Sequence, residues 1–196
     1  MISKLIYLIK DEGLVNSLSR LINKIFNHLR GWLYIDKSAT VGKNLKIIGR
    51  NDIRFGISCG LGNSCRIEAH ARYLEQVFSP CITFGNNCSF GDYLHIGSIS
   101  KITIGNNVLA GSNILIIDHY HGNIFNVGKE DFTPPALREL ISHGDINIGN
   151  NVLIGDGVRI FSGADIGDGC ILAADSVVSK KIPPFSLCTG HNDYIS

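Results

Sequence analysis

The chain has 196 residues, with 18 Lys and Arg against 17 Asp and Glu, for a formal net charge of +1. A balance this close to neutral leaves no electrostatic footprint for nucleic acid, and the length suits one domain with at most a small appendage. Glycine is abundant at 22 residues beside only 5 prolines, which points to many tight corners rather than to disorder.

In residues 1–30 the apolar residues Ile2, Leu5, Ile6 and Ile9, then Leu14, Leu18, Leu21, Ile22, Ile25 and Leu29, recur at three- and four-residue steps. That spacing predicts one or two amphipathic helices, parted at Gly13. Lys4, Lys10, Arg20, Lys24 and Arg30 outnumber Asp11 and Glu12. The segment is expected to cap the rest of the chain, with weak contact to an anionic membrane surface as the other role. Its longest apolar run, Leu5–Ile9, falls far short of the roughly 20 residues that span a bilayer. No small-residue cleavage site follows, so the expectation is a cytoplasmic protein.

From Ile35 onward the period changes to six. Ile35, Val41, Ile47, Ile53, Cys59 and Cys65 lead, then Phe84, Phe90 and Ile96, then Ile104, Ala110 and Ile116. After a gap come Ile148, Ile154, Ile160, Ile166, Leu172 and Val178, with Val152, Val158, Ala164, Cys170 and Ser176 four residues behind each. Neither a helix nor a simple strand has this period. Three six-residue sides make a triangular coil, and stacked coils bury a continuous inner column that one coil alone cannot. Gly, Asn and Asp after each aliphatic suit the corners. Slips of phase before Phe84, Ile104 and Ile148 mark insertions there. The six cysteines form no CxxC pair, and Cys59, Cys65 and Cys170 fall on inward positions, as small core hydrophobes.

The period is lost for a long stretch between Ile116 and Ile148. This stretch holds Asp118, His119, His121, Lys129, Glu130, Asp131, Pro134, Pro135 and Arg138, too polar for further coils, and reads as an arm over about 117–145. "IIDHYHGNIF" lies at its root. If extended, it sends His119 and His121 to the same side. From the residues alone, a metal site, a catalytic base and ordinary loop histidines all stay open.

The six-residue pattern, over about Ile35 to Leu187, resembles the left-handed parallel β-helix of hexapeptide-repeat acyltransferases. "VLAGSNILIIDHYHGNIF", followed by "INIGNNVLIGDGVRIFSGADIGDGCILAADSVVSKKIPP", is similar to the maltose/galactoside-type O-acetyltransferases. It is closer still to those that modify bacterial surface polysaccharides, in keeping with Gly122 where the sugar-acetyltransferase motif has proline. The resemblance implies an all-β solenoid over 31–196, preceded by the helical segment, and a homotrimer whose site is shared between subunits. It implies acetyl-CoA as co-substrate, a sugar hydroxyl as acceptor and no metal. His121 then falls on the general base. An imidazole suits this task because its ordinary pKa lies near neutrality, so it can take the proton of a poorly nucleophilic hydroxyl as the acyl bond forms.

By the same resemblance His119, Asp118, Asp92 ("GDYLHIG"), His95 and Glu68 ("RIEAHAR", with Arg66 and His70) are substrate contacts. Gly155, Asp156, Ala174, Ser179 and Lys180 lie along the acetyl-CoA groove, with Lys181 and Arg159 as further cations. The final "TGHNDYIS" departs from the Gly-x-Pro and basic tail of relatives, which weakens the case for a basic contribution to the donor phosphates. Two other readings compete. One is a zinc enzyme like the γ-type carbonic anhydrases, with His119, His121 and either His95 or His143 as ligands. The other is a non-catalytic solenoid scaffold.

Overall fold

A computed structural model describes residues 14–123 and 132–195. An α-helix, Leu14–Tyr34, leads into a stack of short parallel strands. The helix continues past the boundary expected at 30, while residues 1–13, with the break expected at Gly13, lie outside the described residues. Its C-terminal end docks on the first coil, where the Arg30 guanidinium donates to the carbonyl of Val41 at 3.0 Å.

The strands form three faces of a prism. The first face has eight strands, from Thr40–Val41 to Asp193–Ile195; the second has six, from Lys46–Ile48 to Val177–Val178; the third has six, from Ile53–Arg54 to Lys181–Ile182. Within each face the strands pair in parallel from coil to coil, except for the last strand of the first face, which turns back antiparallel on Leu187–Thr189. Every coil visits the faces in the same order. The backbone donors and acceptors of one coil therefore meet those of the next, and side chains alternate between the interior and the outer surface.

The interior is an aliphatic column. Ile47, Ile67, Ile96, Ile116, Ile160 and Val178 stack in register on the second face, and all but the half-buried Ile47 are buried. The six residues expected inward from Ile148 to Val178 are all buried. Cys59 and Cys65 also point inward, but on the smaller column that runs beside the main one. Cys59 sits above Cys88, Val108, Val152 and Cys170 in successive coils, through backbone bonds such as Gly60 N–H to the Cys88 carbonyl at 2.8 Å. The main column at that level is carried by Leu61 and Ile67, which pair with Phe90 and Ile96.

Two of the three corners are stitched by side chains in coil after coil. Between the third and first faces, the amide oxygens of Asn86, Asn106 and Asn150 and the carboxylate of Asp168 each accept a backbone N–H from the coil before, at 2.6–2.9 Å. Between the first and second faces, Asn63, Asp92, Ser112 and Asp156 do the same. The left-handed backbone that such corners need appears at Asn44, Asn87, Asn107, Asn113 and Asn151.

The third corner, between the second and third faces, is where the chain leaves the stack. Positions that stack on one another in adjacent coils show it. From Ile160 to Val178 the chain makes three sides of six, and the steps from Ile47 to Ile67 and from Ile96 to Ile116 are only slightly longer. The step from Ile67 to Ile96 is half as long again, and that from Ile116 to Ile160 more than doubles. The longer excess is the expected arm, of which residues 124–131 lie outside the described residues. Its described ends form an antiparallel pair, Tyr120–His121 with Leu140–Ile141. The shorter excess is a hairpin, Arg72–Tyr73 with Gln76–Val77.

Candidate active site

Because both excursions leave the same corner, two coils apart, they close over the outer surface of the second face. Between them lies a cleft of about 290 Å³ lined by residues of both excursions and of the strands beneath. Gln76 holds the excursions together. Its side-chain amide donates to the Leu140 carbonyl at 3.2 Å and accepts the Leu140 N–H at 2.7 Å, completing a strand-like pair with a side chain.

The floor is laid by register. Lys46, Arg66 and His95 stack on successive strands of the second face, and Glu68, Gly97 and Ile117 stack beside them. Gly97 keeps this floor open, since a Cβ there would lie 3.3 Å from Cε1 of His119 and 3.8 Å from Nε2 of His95.

Glu68, only 3% exposed, is the floor's one negative centre. Its carboxylate meets Lys46 Nζ at 2.8 Å and Arg66 Nε at 2.9 Å, with His95 at 3.5 Å and His70 at 3.7 Å. Burial pushes this carboxyl up, but the cations of Lys46 and Arg66 outweigh burial and hold it below its ordinary value. The Arg66 guanidinium also lies 2.8 Å from His95 Nε2. Since a guanidinium only donates, Nε2 accepts and the His95 proton sits on Nδ1. Burial and the Arg66 charge together lower the His95 pKa, and burial lowers that of His70, so both rings are neutral at neutral pH.

Asp118 lies beneath the cleft wall and is fully buried. It accepts from the Ser98 hydroxyl at 2.6 Å, from the Ile99 N–H at 2.9 Å and from the Ser100 N–H at 3.0 Å. These bonds brace the one plain corner between the two excursions. Burial pushes its carboxyl up, yet the donors of His119, Ser98 and the backbone hold it below the ordinary carboxylate value. A carboxylate can only accept, so the 3.0 Å contact with His119 Nδ1 fixes the proton of that ring on Nδ1 and leaves Nε2 as the acceptor.

His121 is fixed by the same logic with a different partner. The Tyr73 hydroxyl lies 2.6 Å from the Ala136 carbonyl and 3.2 Å from His121 Nδ1. The carbonyl has no proton to give, so Tyr73 donates to it. The tyrosine has a single proton, and His121 must therefore donate from Nδ1 to the tyrosine oxygen. Nε2 of His121 is left with its lone pair. In their neutral forms the two imidazoles thus offer acceptor nitrogens beside one cleft, one set by a buried carboxylate and one by a tyrosine.

Of the residues expected as substrate contacts, Glu68, His95 and His119 line the cleft, together with His121, Arg66 and His70, and Asp118 supports it from below. Asp92 does not line the cleft. Its carboxylate accepts from the backbone N–H of Asn63 at 2.7 Å at the corner between the first and second faces, where it serves the stack. Sequence reasoning missed Tyr73 and Gln76, which belong to no motif. The signal available was the long interval from Ile67 to Ile82 before an aliphatic returned to the column.

The residues expected to meet acetyl-CoA flank the second face one and two coils beyond the cleft. Gly155 and Asp156 precede its strand Arg159–Phe161, Ala174 precedes Val177–Val178, and Ser179 and Lys180 follow it. Asp156 accepts the Ser112 N–H at 2.5 Å, so its carboxylate is engaged in the corner. Ser179 is tied to Asn192 by two hydrogen bonds, and the Lys180 ammonium lies over the Tyr194 ring. The unusual C-terminal stretch therefore folds back against this edge. Exposed Arg159, Lys180 and Lys181 supply cations beside the small, exposed Ala174, a set that suits a phosphate-bearing amide chain. Among the described residues no group of three or more His, Cys, Asp or Glu side chains is placed to hold a metal ion.

A family model described as bacterial transferase hexapeptide (six repeats) matches residues 145–180. WbbJ of Escherichia coli (strain K12), provisionally named a lipopolysaccharide biosynthesis O-acetyl transferase, is 34% identical over 145 residues, covering 72% of this chain and 70% of WbbJ. The chain belongs to the hexapeptide-repeat acyltransferase family. Galactoside O-acetyltransferase of the same organism is 32% identical over 136 residues, covering 63% of this chain and 66% of that enzyme. Among solved structures, a mutant of the N-acyltransferase AntD from Bacillus cereus, in complex with dTDP-4-amino-4,6-dideoxyglucose and coenzyme A, superposes with a TM-score of 0.63. It is 16% identical, with 82% of this chain and 81% of that chain covered, and shares the fold. This hexapeptide-repeat acyltransferase accordingly folds as a left-handed parallel β-helix.

Proposed function

We propose that this chain transfers an acetyl group from acetyl-CoA to a sugar hydroxyl during the building of a bacterial surface polysaccharide, with His121 as general base. The observation that carries the reading is the Tyr73 lock, which leaves Nε2 of His121 as a proton acceptor at the mouth of a cleft walled by two excursions. His121 Nε2 takes the hydroxyl proton as the sugar oxygen attacks the thioester carbonyl. The same imidazole returns that proton to the departing thiolate, so the ring ends as it began. Supporting the acceptor class are the names of the two Escherichia coli relatives and the sugar nucleotide bound by AntD. Supporting the donor are the coenzyme A of AntD and the cations and small residues flanking the second face.

In this reading Arg66, His70 and His95 contact the acceptor, Glu68 fixes the orientation of Arg66, and the donor lies along Gly155, Ala174, Ser179 and Lys180. The working unit is a homotrimer whose neighbouring subunit completes the donor groove, acting on the cytoplasmic side. The test is acceptor profiling with labelled acetyl-CoA against cell-surface sugars, nucleotide sugars and lipid-linked oligosaccharides. Transfer to no sugar in the panel, with transfer to a non-sugar hydroxyl or amine instead, overturns the acceptor class.

A second assignment has its own observation. His119 shares the tautomer of His121 and is anchored by the buried Asp118 rather than by a phenol. If His119 is the base, His119→Ala removes the chemical step while His121→Ala changes chiefly the KM for acceptor. The His121 assignment predicts the reverse.

A further inference from the structure

We infer that the N-terminal helix docks the protein on an anionic lipid bilayer, lying in the plane of the interface. Leu18, Ile22, Ile25, Leu29, Trp32 and Leu33 are each between 44% and 74% exposed. At helical spacing these six fall within an arc of about 100°. They make one continuous apolar stripe along the 21-residue helix. The helix meets the solenoid at its C-terminal end, where Arg30 donates to the Val41 carbonyl and Gly31 packs against the Ala39 backbone, so the stripe stands clear of the body's own core.

Charge selects the occupant. Leu14–Tyr34 contains Arg20, Lys24 and Arg30 and neither Asp nor Glu. Arg20 and Lys24 lie round the helix from the stripe, and Arg30 flanks it. Arg20 and Lys24 are long enough to reach along the helix toward phosphate headgroups while the stripe enters the acyl boundary, whereas Arg30 is held by the Val41 carbonyl. Phe26, Trp32 and Tyr34 add the aromatic rings that favour the headgroup level. Among the described residues no helix is long and apolar enough to cross a membrane, so the geometry is that of a helix lying on the surface. A second copy of the helix would cover the stripe but would bring no anion to meet Arg20 and Lys24.

The experiment uses the full chain and does not depend on the catalytic reading. Sedimentation is measured with vesicles of phosphatidylcholine alone and of phosphatidylcholine with phosphatidylglycerol, alongside light scattering for the oligomeric state. Binding to the anionic vesicles is expected to exceed binding to the neutral ones by on the order of tenfold, and to fall as salt rises. The pair Ile25→Ser and Leu29→Ser is expected to abolish sedimentation with an unchanged circular dichroism spectrum and oligomeric state. The pair Arg20→Glu and Lys24→Glu is expected to remove the anionic preference and spare the oligomer. Equal sedimentation of native and serine-substituted chains overturns the inference. So does dissociation of the oligomer by the serine pair without vesicle binding by the native chain, which assigns the stripe to a second copy.

Discussion

The three corners of this prism are chemically alike in their task and opposite in their use. Two are stitched by Asn, Asp and Ser side chains that each accept a backbone N–H from the neighbouring coil, so nothing there can lengthen without breaking a ladder. Among the described residues the third is stitched only in places, by Asp118 to the N–H groups of Ile99 and Ser100 and by the Ser162 hydroxyl to the His143 N–H, and there the chain leaves twice, once for the hairpin around Tyr73 and once for the arm that bears His121. The difference teaches where a repeat protein can place chemistry. A stack tolerates excursions at a corner whose backbone bonds are satisfied by other means, and Asp118, with its grip on Ser98, Ile99 and Ser100, is the means here.

The sharpest break of that comparison is His121→Ala. If His121 is the base, as proposed, its loss from the open corner is expected to lower kcat by about 10²–10⁴-fold. The melting curve is expected to stay within about 0.5 kcal/mol of the native chain, because the side chain is exposed. Turnover assays and thermal denaturation on the same preparation check both halves.

Asp118→Asn should act oppositely, on stability first, since a buried carboxylate with four donors is replaced by a group that accepts less; the loss is expected to be about 3 kcal/mol. The pH dependence carries the sign. The folded-state pKa of Asp118 is depressed, so its contribution is present above the unfolded carboxylate pKa and is lost as pH falls toward the folded value. Denaturant midpoints followed from neutrality into the acid range should therefore fall less steeply in the variant. A variant that tracks the native slope contradicts the role assigned to this carboxylate.

At a stitched corner, Gly105→Val sharpens the contrast. A Cβ there lies 2.6 Å from the Gly149 carbonyl oxygen of the next coil, a backbone atom that cannot swing away. Destabilisation of about 1–3 kcal/mol is expected with unchanged kcat in the folded fraction, measured by urea unfolding and by active-site-normalised rates.

Tyr73→Phe returns to the open corner with a smaller effect. Without the phenol, His121 can carry its proton on either nitrogen, and kcat is expected to fall about tenfold, equivalent to one ordinary hydrogen bond, with KM little changed. Nitrogen chemical shifts of the labelled ring, moving toward a tautomer mixture, distinguish this from a loosened fold. Smallest of all, Asn106→Ala removes one rung of a ladder and should cost about 1 kcal/mol, without effect on turnover.

The solenoid was legible because its period is enforced by packing: each of Ile148 to Val178 must return to the interior, and each did. The arm was legible for the complementary reason, that the chain ran from Ile116 to Ile148 without a periodic return. The short hairpin was not. Its added length shifts the phase of six so little that it looked like a one-residue slip before Phe84, and Leu74, Val77 and Phe78 mask the gap with apolar residues. Asp92 lies outside the cleft for a related reason. A carboxylate beside aromatic and imidazole residues reads as a site, but the corner position that it occupies asks for an acceptor of backbone N–H in every coil. The tautomers of His119 and His121 were beyond the sequence altogether, since they depend on Asp118 and on a tyrosine far away along the chain.

The Gln76 clasp has one more consequence. It grips only the main chain of residue 140, its N–H and its carbonyl, and reads no side chain there. A substitution at Leu140 that keeps the strand extended leaves the clasp intact. Arms of different sequence could therefore be grafted onto the same hairpin, while the solenoid below is inherited unaltered.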